Sequence, residues 1–448
     1  GGTTSALGFK SEGTNFTGSL LVGHSTTGTI SSATYNTALG IGALDALTTA
    51  DYNVAIGYNA GTVLTTGSYN ILIGGLAGDA LIGGGENIAI GFAALSSEDG
   101  NGKNIAIGSN ALEDLNAGAD AYNIAIGHDA GRNISTGIQN TLVGGLAGDA
   151  LTTGGYNVAM GYGALSTEDG NGRNVAIGFL ALLAQNAGAD AYNVAIGYNT
   201  GASISTGVQN TLIGGLAGDA LTTGSYNTAL GYRALGAEDA HGNNTAIGYS
   251  ALRLQNAGAD AYNVAVGYNA GEAVSTGTSN TLIGSLAGDA ITTGADNVAI
   301  GRSALTASDT GSRTTAVGAY SLYYQNPTGS DYFYNVALGY QTAYNLTTGT
   351  PNVLIGAFAG HDLTTGARNT VVGHDALSLE DTGSRNVAIG YEALQALNYD
   401  GDGYNVAVGY NAGHDVSTGT QNTLIGGLAG DALTDGNTNV AVGYNALS

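Results

Sequence analysis

The chain has 448 residues, 77 of them glycine, with two prolines, one methionine and no cysteine or tryptophan, and its 34 acids against 10 bases leave a formal charge of −24. No cysteine means no disulfide framework, thiol nucleophile or thiolate-ligated metal, and so acidic a balance opposes binding to phosphate backbones or an anionic membrane surface. Collagen is excluded by the missing Gly-X-Y period and scarce proline, and disorder by a hydrophobic content of 43%.

The longest apolar run, Phe179 to Ala184, is far too short for a bilayer span. With no leader pattern and no initiator methionine, the chain reads as an internal fragment of a longer one.

Along the chain the phrase Asn-x-Ala-Ile-Gly recurs, as in Asn53 to Gly57, Asn104 to Gly108 and Asn193 to Gly197. Its closing glycine falls at Gly8, Gly23, Gly40 and Gly57 and then onward to Gly443, 26 times in all. Most steps are 17 residues, every fourth is lengthened to 19, and the step from Gly318 to Gly339 is 21. Residues 1–35 read as degenerate first coils and 36–448 as one continuous array. A 70-residue super-repeat divides that array into 53–122, 123–192, 193–262, 263–334, 335–404 and a partial 405–448, opened by Asn53, Asn123, Asn193, Asn263, Asn335 and Asn405.

A 17-residue period is too short for paired helices and matches one coil of a narrow β-solenoid. Three positions before the glycine, 24 of 26 residues are Thr, Val or Ile, and one position before it all 26 are aliphatic or Met, as β-branched strand chemistry requires. Between them stand 18 Ala, seven Leu and one Val. Each unit is therefore expected to hold two short strands and two turns. Val54 and Ile56 point to one side of their strand and Ala55 to the other. Aliphatics such as Ile213 are assigned to the interior, and the small alanines to close approach between copies. The expected fold is all-β, a parallel β-solenoid or β-roll of about 26 coils, intertwined or side by side as a homotrimer. At roughly 4.8 Å per coil the array would run about 120–130 Å.

Asparagine opens 23 of the 24 units from Asn36, with Thr314 the exception. Stacked in register, these amides are expected to form a structural ladder that satisfies turn amides. Tyrosines before the Asn or after the Gly read either as packing ladders or as platforms for sugar rings. Asp79, Asp149, Asp219, Asp289 and Asp431, in Gly-Gly-Leu-Ala-Gly-Asp phrases or close variants of them, resemble single turns of a calcium-binding repeat, but recur too sparsely to surround an ion. The pairs His128-Asp129, His361-Asp362, His374-Asp375 and His414-Asp415 lack a serine at a fixed offset, so no catalytic set is drawn from them. Glu168-Asp169 reads as a solvated loop. No enzyme activity, cofactor or metal is expected. The densest aromatic cluster, Tyr320, Tyr323, Tyr324, Tyr332, Phe333 and Tyr334, lies on the 21-residue step beside Pro327 and is the candidate receptor contact.

The phrase Asn-[Val/Thr/Ile]-Ala-[Ile/Val]-Gly-Tyr-x-Ala-[Leu/Gly], followed by a Thr-Thr-Gly or Ser-Thr-Gly turn, resembles the repeats of phage tail-fibre-type proteins. Many of those end in an endosialidase-type intramolecular chaperone. The Ala-Ile-Gly core is similar also to the β-roll heads of trimeric autotransporter adhesins. The resemblance implies a homotrimeric extracellular or virion-surface fibre that projects toward a host surface. Its partners would be its own copies and a surface glycan or protein, with no nucleic acid and no membrane insertion. The alternative owner is a bacterial cell-surface adhesin or extracellular filament subunit.

Overall fold

A computed structural model of the chain describes residues 9–11, 15–23, 30–326 and 332–448. The backbone divides into two units, Gly1–Ser225 and Tyr226–Ser448. In the first, β1 (Phe9–Ser11) pairs antiparallel with β2 (Leu20–Val22), so the parallel array starts one strand later than the glycine count predicts. From β2 to β13 (Thr211–Ile213) the strands follow each other in parallel and in register, as Val54, Ala55 and Ile56 do against Ile71, Leu72 and Ile73. The second unit repeats the pattern from β14 (Thr228–Leu230) to β26 (Val440–Val442). Both units are parallel β-solenoids, with twelve and thirteen parallel strands among the described residues. No helix among those residues is long and apolar enough to cross a membrane.

Each coil carries one strand of three residues, not the two strands expected. The residue before the Asn is left-handed, as at Tyr52 (φ 58) and Tyr122 (φ 54), and the closing glycine lies near φ 140, as at Gly57. Beyond that glycine the backbone again turns left-handed at the second and fourth positions: Leu76 and Gly78 in one coil, Ala93 and Leu95 in another. An extended second strand is therefore replaced by a turn of alternating hand. Left-handed leucine costs about 1–2 kcal/mol, and what holds it there is the ladder between coils. Leu76 N–H donates to Tyr58 O at 2.9 Å and Leu95 N–H to Ala111 O at 3.0 Å. Glycine is required at the strand end: a Cβ on Gly91 would lie 2.2 Å from Gly108 O in the next coil.

The interior is the reverse of the one expected. The middle residue of the strand points inward: Ala55, Leu72, Ala195 and Leu212 have no exposed surface. The flanking aliphatics face out; Ile213 is half-buried and Ile56 is 37% exposed. The rest of each interior comes from the turn, where Ala43, Leu44 and Leu47 are fully buried. With a single three-residue strand per coil, only one side chain per strand can reach the narrow core, and alternation sends its two neighbours outward. The alanines thus fill the coil and do not line a contact between copies.

Candidate functional site

The asparagines that open the super-repeats are fully buried, and each is tied to the coils beside it. Asn53 N–H and its amide both donate to Asn36 Oδ1, at 2.9 and 3.0 Å, and its amide also reaches Gly67 O. Asn123 donates from Nδ2 to Gly137 O at 2.8 Å, and Asn405 to Gly419 O at the same distance. Asn193 and Asn263 add a bond to the buried amide oxygens of Gln185 and Gln255, each at 2.8 Å. Asn335 reaches Gln325 Oε1 at 3.3 Å, while Gln325 Nε2 donates to the hydroxyl of Thr314, which stands in the asparagine column. These side chains replace water for backbone groups that would otherwise be buried unpaired. They face inward and offer nothing to a ligand.

The surface chemistry gathers in the second unit, beginning at the aromatic cluster. Tyr323 stacks on Tyr344 at 5.1 Å, and Tyr324 meets both edge-on at 4.7 and 5.3 Å. Burial raises the pKa of the Tyr344 phenol above its ordinary value. Tyr344 in turn stacks on His361 at 5.4 Å, and Phe358 touches His361 and His374. From His374 the rings continue in parallel through Tyr391 and Tyr410, 5.6 and 5.5 Å apart. Rings at equivalent positions of successive coils stack because the coil spacing, about 4.8 Å, nearly equals an aromatic stacking distance.

Tyr332 and Tyr334 form a separate pair, both about half exposed and held by Arg313. Its guanidinium lies 3.9 Å from the Tyr332 ring centre and donates to the Tyr334 hydroxyl at 2.9 Å. Phe333 is only 3% exposed, so it packs into the coil and is not a surface contact. Pro327 lies outside the described residues.

Beside the stacked rings opens a cleft of about 270 Å³ lined by Phe358, His361, Asp362, Asp375, Ser378, Leu379 and Gln395. Coil stacking brings the His361-Asp362 pair beside Asp375 of the next pair, a juxtaposition the sequence does not reveal. His361 Nδ1 is 2.7 Å from Asp362 Oδ1, and His374 Nδ1 is 2.9 Å from Asp375 Oδ2. The cleft lining combines ring faces, from Phe358 and His361, with carboxylate, hydroxyl and amide groups, from Asp362, Asp375, Ser378 and Gln395.

The acidic turns do not match their expected solvation. Glu98, Glu168, Glu238 and Glu380 are fully buried, and burial holds each carboxyl above its ordinary pKa. Their signal in the sequence was recurrence at one place in the coil, which a solvated loop does not need. Asp79, Asp149, Asp289 and Asp431 each keep one buried carboxylate oxygen without a hydrogen-bond partner.

No protein family matches the chain, and no curated protein or solved structure does.

Proposed function

We propose that the chain is the shaft of an extracellular or virion-surface fibre, of the tail-fibre kind, which associates with its own copies and contributes to attachment. The observation that carries this reading is the outer face of the strands. In both units two aliphatic or threonine side chains per coil point outward, and several are well exposed: Met160 at 40%, Leu230 at 44% and Leu338 at 45%. Apolar surface of this regularity marks an interaction site, and no helix among the described residues covers it. A second copy of the same face is the complementary cover, because both present aliphatics at one coil spacing. The chain mass of 44.2 kDa makes the test direct. Sedimentation of the full chain should give three times that mass, and a stable monomer at micromolar concentration removes the homotrimer.

Attachment is assigned to the aromatic surface and cleft of the second unit, with a surface glycan as the partner. Replacing Tyr323, Tyr324 and Tyr344 together by Ala should abolish binding to a glycan array while leaving assembly intact. Unchanged binding would place attachment elsewhere.

A further inference from the structure

Four acidic turns of the chain share one geometry, Glu380 among them with Gly383 N–H at 2.7 Å, and only one of them sets an imidazole against the carboxylate. In the first unit Glu98 and Glu168 are fully buried, and each turns Oε1 onto the backbone N–H three residues on, at Asn101 (3.0 Å) and Asn171 (3.2 Å). Asn171 adds its side-chain amide to the same oxygen at 3.3 Å. In the second unit Glu238 repeats the arrangement, its Oε1 accepting from His241 N–H at 3.1 Å. Here, however, an imidazole replaces the amide.

That exchange alters what faces the carboxylate. An amide offers a donor. His241 presents Nδ1, which stands 3.5 Å from Glu238 Oε1, and in the neutral ring with its proton on Nε2 this atom is an acceptor. In that tautomer two acceptors face each other, an arrangement that needs a proton or a cation between them. The buried His241 Nδ1 has no hydrogen-bond partner, and the unpartnered Oε2 that Glu98 and Glu168 also carry here lies in the same cluster as that nitrogen. Asp239 brings a second carboxylate. One donor atom from each of Glu238, Asp239 and His241 lies within 4.8 Å of the other two.

We propose that Glu238, Asp239 and His241 form a site for a first-row divalent cation, with zinc as its probe. His241 binds through Nδ1 and the two acids through one oxygen each, and water completes the shell. The backbone bond to Glu238 Oε1 orients the carboxylate that faces Nδ1, the outer-shell arrangement that metal-binding carboxylates use. Zinc bonds of about 2.0–2.2 Å place tetrahedral ligands roughly 3.4 Å apart, so the donors must draw together by about an ångström. Asp239 is exposed, at the surface edge of the cluster. A nitrogen among few ligands favours zinc, nickel or copper over calcium and magnesium, which take six or more oxygens. The site is independent of the fibre reading and of the aromatic surface.

The test is calorimetric titration of the chelator-stripped full chain with zinc at pH 7.5, with cobalt absorption as a second readout. One zinc per chain is expected, with a micromolar dissociation constant and a cobalt spectrum typical of mixed nitrogen and oxygen ligands. H241N installs the residue found at positions 101 and 171, so it should keep the metal-free thermal midpoint while weakening zinc at least tenfold and losing the cobalt bands. E238Q should do the same, whereas H128N, which alters an exposed histidine beside Asp129, should leave both readouts unchanged. No zinc uptake by the natural chain would show that a proton alone bridges the pair and overturns the proposal. Equal uptake by H241N, or calcium binding as tightly as zinc, overturns it as well.

Discussion

Leu212 and Ile213 are neighbours in one strand, yet Leu212 has no exposed surface while Ile213 is half-buried on the outer face. In the single chain, at a dilution where copies are apart, a carboxylate at position 212 would lose its water with no partner, at a cost of several kcal/mol; at position 213 it stays hydrated. Leu212→Asp should therefore collapse the urea midpoint, and Ile213→Asp should shift stability by only about 1 kcal/mol. Equal losses would return the outer aliphatics to the interior. Asp289 poses a different problem at the same scale. Burial, helped by the charge of Glu272, pushes its carboxyl from 3.8 up to about 6, and its Oδ1 has no hydrogen-bond partner. Between those pH values the folded chain holds a proton that the unfolded chain has released. The stabilising contribution is complete below pH 3.8 and is lost as pH rises through about 6. Asp289→Asn should accordingly raise the thermal midpoint at pH 7, leave it unchanged near pH 3.5, and flatten the slope between. A variant with the natural slope would show that this carboxyl is not held away from water.

One coil in each super-repeat has leucine at the strand centre, and its core is filled differently from the others. Where the strand centre is leucine, as at Leu142, glycines stand opposite it in its own turn and in the turn before. A Cβ on Gly131 would lie 2.7 Å from Leu142 Cδ1, and one on Gly148 would lie 2.9 Å from Leu142 Cδ2. Where the strand centre is Ala159, the turn carries Leu165, fully buried and left-handed at φ 55. The two arrangements exchange volume between strand and turn, so a core of fixed cross-section stays filled. Leu142→Ala should thus cost about 3 kcal/mol. Adding Gly148→Leu should recover at least about 1 kcal/mol, read as a coupling energy in a double-mutant cycle; strictly additive losses would mean that the two positions do not share one space. The phase of the repeat and the position of the strands from β2 onward were legible in the sequence, because β-branched residues and an obligatory glycine mark them. The inward direction was not: Val54-Ala55-Ile56 is apolar on both faces, and periodicity alone does not say which face is inside. Nor was the turn after the glycine, since leucine has no intrinsic preference for a left-handed backbone and adopts it only under the ladder bonds from adjacent coils. The aromatic cluster around Tyr323 was legible as composition, whereas the cleft beside it joins residues brought together only by coil stacking.

At the scale of the whole chain, the question is what covers the outer strand faces. They are built alike in the two units, from pairs such as Val194 with Ile196 and Val264 with Val266, all half-buried. A single chain leaves these stripes in water, and burial of apolar surface contributes about 25 cal/mol per Å². Against association stands charge, since each copy brings −24 and like charges repel over a Debye length of about 10 Å at 0.1 M salt. The two effects have opposite dependence on ionic strength. Screening shortens the repulsion to about 3 Å at 1 M and leaves the apolar contact intact, so association through these faces should strengthen as sodium chloride is raised from 0.05 to about 0.5 M. An assembly held by ion pairs would weaken instead. A lysine pair tests the face itself: Val264→Lys with Val266→Lys places two charges at outward positions, where long side chains remain hydrated and the buried Ala265 between them is untouched. The variant should keep its β-sheet circular dichroism, with its thermal midpoint measured at a dilution where the natural chain is also monomeric, and should sediment as a monomer at concentrations where the natural chain is assembled. If it assembles as the natural chain does, the apolar faces are not the seam, and copies must meet through the turns.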